Sequence, residues 1–336
     1  MKAIKFFAIS AMAAAMITSC SSEDELSQSN YPSDNIVRVT AGVNNAKTRA
    51  EGAGTEMKND FSLTIVNKNA SKYTYTDKVF SKSSGDWACS ETLLWQKSDA
   101  LVDIVAFAPA QTGKFNGVYA EGSIQPITYS VAKDQTTADD KNDLLYYYAK
   151  DFNPGESLDK GKLNIQFNHA FCMIDIVVTL GTEFNKPKVL DDSPIVKVTL
   201  DGTKIAANVD VKNAATGSTT TTAASVVTAS ETATPTTITT TKGTFTTAAN
   251  AEANAISRFS CIAIPQKVAA NTFKVSLMTA GKRYEWTSDK EITLQSGYRY
   301  TLNLSMGNDV VLLKNGSISA SPWTEGDTGD KPLETD

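Results

Sequence analysis

Histidine is almost missing from this 336-residue chain: His169 is the sole one. A single imidazole leaves no His-rich metal site and no relay between two histidines. Basic blocks are missing too. No run of five Lys or Arg occurs, and 37 acidic residues outnumber 32 Lys+Arg, so the electrostatic footprint of a nucleic-acid partner is not there. The chain lacks a G-x-S-x-G elbow, a P-loop, a helix-opening G-x-G-x-x-G and an H-E-x-x-H, and with them the common signatures of hydrolases, nucleotide binders and zinc proteases. Cysteine is scarce: Cys20, Cys89, Cys172 and Cys261, with no C-x-x-C spacing. That excludes a disulfide scaffold and a structural zinc site. Cys172 and Cys261 sit in apolar runs, where a thiol behaves as a small hydrophobe; a bond from Cys89 to either stays open at this level. Past residue 20 there is no long apolar run, so no membrane-spanning helix is expected.

What is present begins with a leader. Lys2 and Lys5 precede an apolar, Ala-rich stretch over residues 6–18, shorter than the roughly 20 residues a span needs. Residues 1–19 read as a secretory signal peptide. Ile17-Thr18-Ser19-Cys20 resembles the lipobox of bacterial lipoproteins. The resemblance implies that Cys20 becomes the lipidated first residue of the mature chain. Its acyl chains would hold a soluble body to a membrane, at about 0.8 kcal/mol per buried methylene. Glu23, Asp24 and Glu25 follow directly. This acidic patch resembles the surface-export signal of lipoproteins in Bacteroidetes-type bacteria, and residues 20–35 are also polar enough for a solvated tether.

Period-two alternation dominates the rest. Leu163, Ile165 and Phe167 alternate with Asn164, Gln166 and Asn168. Ile174, Ile176, Val178 and Leu180 share one face, as do Phe273, Val275 and Leu277, and Tyr298, Tyr300, Leu302 and Leu304. Successive strand side chains point to opposite faces, so each segment has a core face and a wet face. Asp201-Gly202, Asn116-Gly117, Asn315-Gly316 and Ser296-Gly297 read as turns. No long 3.6-residue period survives the leader, and the class predicted is all-β, sandwich or barrel. Length suggests about two domains. Residues 213–250, rich in Thr, Ala and Ser, read as a solvated excursion with an edge hairpin in it; a glycosylated stalk is the compositional alternative.

For chemistry, His169 lies in a strand and is expected to be a hydrogen-bonded structural residue. Asp139, Asp140 and Asp143 read as a solvated turn, lacking the order of a calcium loop. No carboxylate pair stands out for glycoside hydrolysis. Trp87, Trp95, Trp286 and Trp323 are scattered and read mainly as core or strand-end residues, an exposed sugar-stacking Trp being the sharper reading. Neither a cofactor nor a metal is implied, and no enzymatic activity.

Several segments together resemble the fimbrillin family, the Mfa-like type V pilin subunits of Bacteroidales. They are the lipobox with its acidic residues, residues 36–43 leading to Lys47-Thr48-Arg49-Ala50, Leu93-Leu94-Trp95 with residues 102–109, Asp143-Leu144-Leu145-Tyr146-Tyr147 leading to residues 165–170, Gly297-Tyr298-Arg299-Tyr300-Thr301-Leu302, and Ile318-Ser319-Ala320-Ser321-Pro322-Trp323. The Thr-rich stretch is a departure. The resemblance implies two tandem transthyretin-like β-sandwiches, over residues 36–182 and 183–325, before a polar tail at 326–336. It implies a structural or adhesive subunit of surface fimbriae, at tip or stalk, serving adhesion and biofilm formation. Its partners would be other fimbrial subunits, a host or bacterial surface receptor, and the outer membrane through the lipid anchor. A stand-alone glycan-binding lipoprotein is the competing function, and a hydrolase on a β-sandwich the third.

The residues also suggest a mechanism. Val37, Val39, Ala41 and Val43 would form the core face of a first strand. A trypsin-like cut between Arg49 and Ala50 would free that strand and leave a groove of unpaired backbone groups and apolar pockets, a template for a strand from another subunit. Val310, Leu312, Ile318, Ala320 and Trp323 would lie in a C-terminal edge segment used in assembly.

The thioether of a lipidated Cys20 needs its sulfur. The Cys20→Ser protein should therefore leave the membrane fraction, measured by fractionation and immunoblotting; retention at the wild-type level would remove the anchor.

Overall fold

The computed structural model describes residues 30–43, 57, 59–112, 124–215 and 225–323. Cys20, Glu23, Asp24, Glu25, Arg49, Ala50 and the Asn116-Gly117 pair lie outside them. Regular structure among the described residues is nearly all strand, with one short α-helix, α1 (Pro154–Ser157), and four 3-10 turns.

The first half carries β1 (Arg38–Val43), β2 (Phe61–Asn67), β3 (Tyr75–Ser83), β4 (Asp86–Cys89), β5 (Val102–Ala108), β6 (Ile127–Ser130), β7 (Leu145–Phe152) and β8 (Lys162–His169). All but β6 form one sheet closed on itself, in the order β1-β4-β3-β2-β5-β7-β8. Closure is thin at two corners. β1 meets β4 through one register pair, Val39↔Trp87, and β7 meets β8 through two. Between these corners β1 and β8 run parallel over six pairs, from Arg38↔Lys162 to Val43↔Phe167. The barrel is thus a flattened sandwich of a five-strand layer and a two-strand layer.

The second half contributes β9 (Cys172–Leu180), β10 (Ile195–Asp201), β11 (Ala206–Val209), β12 (Val227–Ala229), β13 (Ile238–Thr239), β14 (Thr241–Thr246), β15 (Ala255–Ala263), β16 (Lys267–Val268), β17 (Lys274–Thr279), β18 (Arg283–Thr287), β19 (Ile292–Thr293), β20 (Tyr298–Met306) and β21 (Val311–Pro322). They build a five-stranded sheet, β14-β15-β9-β20-β21, a four-stranded sheet, β13-β10-β17-β18, and a two-stranded ribbon of β16 and β19. A three-stranded sheet, β12-β11-β6, borrows its last strand from the first half.

The alternation read from the sequence is realised in β8 and β9. Leu163, Ile165 and Phe167 are fully buried, and so are Ile174, Ile176, Val178 and Leu180. β2 and β5 are buried on both faces. Along β5, Val102, Ile104, Ala106 and Ala108 enter the barrel core, while Val105 and Phe107 enter the core of the second half. One strand therefore divides its side chains between two interiors. Asp103, on the second of these faces, is buried with Lys68 Nζ at 3.2 Å, as a charge there requires.

The structure moves the boundary expected at 182/183. β9 pairs with β15 over nine register positions and with β20 over eight, so the two halves divide between His169 and Cys172. β6, nominally in the first domain, pairs with β11. Periodicity tells which face of a strand is apolar, not which sheet it joins. The Thr-rich stretch is also not a solvated excursion over its described length. It supplies β12, β13 and β14, each the edge strand of a different sheet, which fits the strand propensity of threonine on half-wet positions. Asn315-Gly316 is not a turn but lies inside β21, where five residue steps from Leu313 to Ile318 pass two steps of β20: a bulge. The turn at Asp201-Gly202 holds. Gly202 has φ +94°, and a Cβ there would stand 2.2 Å from the Thr272 carbonyl oxygen, so only glycine fits.

Cys89, Cys172 and Cys261 are all free. Burial pushes the Cys172 thiol far up, and its Sγ donates to the Ala263 carbonyl at 3.2 Å. Burial, with the Asp175 charge second, raises Cys261 to about 12. Thiolate is the reactive form, so at pH 8 both raised thiols should be far less reactive than an ordinary cysteine. In a chain starting after Cys20, Ellman's reagent at pH 8 should titrate half-buried Cys89 alone in the folded protein and all three thiols in denaturant. Native reaction of Cys172 or Cys261 would contradict the packing.

Candidate functional site

The closing strand of the barrel is fastened at its start and along one side. Asp34 accepts from the Ile36 N–H at 3.1 Å and from the Arg38 guanidinium, and these bonds, the Arg38 bond first, hold its carboxyl down to about 2. Val37 N–H donates to the Leu93 carbonyl at 2.9 Å, and Trp95 N–H donates to that of Asn35 at 2.8 Å. From Thr40 onward, β1 has β8 as its register partner and no other. Val37, Val39 and Val43 are buried and Ala41 is half-buried, in one core with Phe61, Leu63, Ile165 and Phe167. Each valine fully buried there contributes ~1.5–3 kcal/mol. Lifting β1 away would expose an apolar slot and strip β8 of its long ladder.

The second candidate segment, β21, closes one edge of the five-stranded sheet. Its far edge has no strand partner among the described residues, which makes it a template for pairing. Val310 and Leu312 are 50% and 59% exposed, whereas Val311 between them is buried. Ile318 and Ala320 pack half-buried on the second core. Trp323 does not share the exposed surface of Val310 and Leu312. Its N–H donates to the Gly297 carbonyl at 2.6 Å, and its indole is buried.

That indole lies on His169, with ring centroids 3.8 Å apart and planes 13° from parallel. Asp143 Oδ2 is 2.7 Å from His169 Nδ1, so Asp143 faces inward rather than lying in a solvated turn. Asp139 accepts from the Lys141 N–H within the turn itself. His169 is 4% exposed, and its Nε2 has no hydrogen-bond partner among the described residues. The His–Asp pair, covered by a tryptophan, joins the end of β8 to the residue after β21 and to the turn ahead of β7. The two rings lie in separate segments of the sequence and nothing in residue spacing joins them; the parallel partner of β1 has no sequence signal either.

The tryptophans form no exposed platform. Trp95 and Trp323 are buried, and Trp87 and Trp286 are half-buried with edge-on contacts to Phe61 and Phe273. A trough of about 580 Å³ lies between β12 and the β16–β19 ribbon, with Tyr146 as its one aromatic wall. No group of His, Cys, Asp or Glu suited to a metal ion occurs among the described residues, and no helix among them is long and apolar enough to cross a membrane.

The profile of a family described as fimbrillin-like matches residues 48–323. Three solved structures are similar. A candidate cell adhesion protein from Bacteroides ovatus superposes with a TM-score of 0.57 at 15% identity, over 88% of this chain and 100% of that one. One from Bacteroides uniformis gives 0.55 at 16%, over 87% and 100%. A fimbrial protein from Bacteroides vulgatus gives 0.52 at 16%, over 86% and 99%. At such identities the likeness is one of fold. A search of curated proteins finds no match.

The slot makes a stability test. Val39→Ala removes two buried methyl groups and should cost about 1.5 kcal/mol or more. Thr40→Ala, on the exposed face, should stay within about 0.5 kcal/mol. Urea unfolding measures both; equal effects would mean that β1 is not seated as described.

Proposed function

The chain belongs to the fimbrillin-like family, and from that premise we propose that it is a structural and adhesive subunit of a cell-surface fimbrium, at tip or stalk, and not an enzyme. It is held to the outer membrane by a lipid on Cys20, displayed through Glu23, Asp24 and Glu25, and assembled with other subunits by strand exchange. The observation that carries this reading is the lopsided attachment of β1: six register pairs with β8 against one with β4. A strand so attached leaves by breaking one long ladder, the single pair with β4 and the short bridge of residues 35–37 to Leu93 and Trp95. What then stops it is its covalent link to β2, and a cut between Arg49 and Ala50 removes that link. The slot left by Val37, Val39, Ala41 and Val43 accepts an extended strand with the same alternation, which binds by backbone pairing and apolar side-chain pockets. β21, with Leu312 and the preceding Val310 outward and an edge unpaired among the described residues, serves as the contact to the next subunit. Adhesion and biofilm formation follow from the fibre's contact with a host or bacterial surface receptor.

Limited trypsin digestion of the mature protein, followed by mass spectrometry and size-exclusion chromatography, tests this. Cleavage after Arg49 should precede cuts in the folded body. The cut protein should capture a donor-strand peptide or oligomerise slowly, and the Arg49→Ala protein should resist the cut and remain monomeric. Strand exchange would be sunk by an Arg49 that stays intact while the body is digested, or by cut protein that stays monomeric and ignores the peptide.

A further inference from the structure

We propose that the stack of Trp323 on His169 is the positioning contact of the acceptor strand: β8 best keeps the register needed to receive an incoming strand while the end of β21 is seated. This rests on the strand-exchange reading and adds its control.

β8 has two neighbours of very unequal weight. It shares six register pairs with β1, over Lys162 to Phe167, and two with β7, Leu145↔His169 and Tyr146↔Asn168, both at its end. Once β1 has gone, residues 162–167 have lost their ladder. Leu163, Ile165 and Phe167 remain buried, but burial does not fix register. A slip of one residue turns these side chains outward, whereas a slip of two keeps them inward. What pins β8 is its final turn, where Ala170 N–H also donates to the Leu144 carbonyl at 2.8 Å.

His169 is gripped from two sides at that point. Asp143 holds Nδ1 at 2.7 Å, and the indole of Trp323 covers the ring. Asp143 stands just ahead of β7, so its grip belongs to the same barrel. Trp323 comes from the far end of the other half. The contact closes back on itself: Trp323 N–H donates to the Gly297 carbonyl, and Gly297 N–H donates to the Phe171 carbonyl at 2.8 Å, two residues past His169. Gly297 takes φ +70° in the turn that makes this possible. Drawing β21 out of its sheet uncovers the His169 ring, lets water reach Nε2 and leaves the end of β8 to Asp143 and its short pairing with β7. A subunit therefore accepts a strand best with its own β21 in place, and less well when β21 is displaced. Acceptance and the state of the chain's far end are linked through one pair of rings.

The test uses the full mature chain with a specific protease site built into residues 44–56, so that nicking does not depend on Arg49. In the nicked protein β1 is held without a covalent link. A fluorescent peptide of residues 36–43 is added, and its capture is followed by anisotropy. The Trp323→Ala protein should capture about 2- to 12-fold less than wild type, the equilibrium change that corresponds to one aromatic pair, and Trp323→Phe should restore most of it. Asp143→Asn, which keeps the side-chain shape and weakens the other grip, should reduce capture in the same direction and serves if Trp323→Ala does not fold. Hydrogen exchange separates positioning from general support. In the uncut Trp323→Ala chain the amides of residues 163–167 should keep wild-type protection, because β1 holds them; after nicking they should exchange faster than wild type. Equal capture by wild type and Trp323→Ala overturns the inference and leaves strand exchange standing. Loss of protection already in the uncut variant also overturns it, since that is ordinary destabilisation. Wild-type protein that captures no peptide sinks strand exchange and this inference with it.

Discussion

The rest of the structure depends on β5, Val102–Ala108, having no wet face. Its odd and even side chains enter different interiors, so the barrel and the second half are not two bodies joined by a linker. Each uses the other as a wall. That explains why the strand reads as a continuous apolar run rather than an alternating one. It also explains why β6 leaves the barrel's sheet to pair with β11: the outer face of β5 is already occupied by the second core, to which Ile127 belongs.

On this shared wall the chain sets the two strands to which the proposed exchange assigns a role. β1 and β21 lie at opposite ends of the described sequence, and each is bound mainly to one neighbour, β8 and β20 respectively. Neither is loosely packed. β1 buries Val39 and Val43, with Val37 buried just ahead of it, and Trp323, directly after β21, sets an indole at the junction. Single-sided pairing with one buried face makes a strand that is stable in place, yet held mainly by one ladder. The same contrast separates Val311, turned into the core, from Leu312, turned out beside it.

Much of this was legible in the residues. Alternation at Leu163, Ile165 and Phe167, and at Ile174 to Leu180, reported the core faces correctly because period two is a property of the strand itself. The all-β class followed from the same pattern. Partner choice did not follow. β9 looks like a continuation of the first domain in sequence and belongs to the second in space, since pairing depends on contacts far along the chain. Threonine-rich composition suggested a solvated excursion, but edge positions tolerate and favour such residues, and three sheets take their edges from it. The stack of Trp323 on His169 was legible only as two separate words, because no local rule brings together rings from strand ends so far apart. Cys20, Glu23 to Glu25 and Arg49 rest on the leader, the acidic patch and the basic site as written in the sequence.

The parallel direction of β1 and β8 bears on mechanical load. A strand added to an edge in antiparallel fashion, as in a hairpin, is peeled when pulled from its turn, and its bonds break one after another. β1 and β8 point the same way over six pairs, with slanted, evenly spaced bonds. Tension along the axis of a strand seated in that slot shears the whole ladder at once, so the pairs share the force instead of meeting it in turn. The orientation of one strand would thus make a β1–β8 joint strong against stretching and weak against lifting, which would suit the strand exchange proposed above.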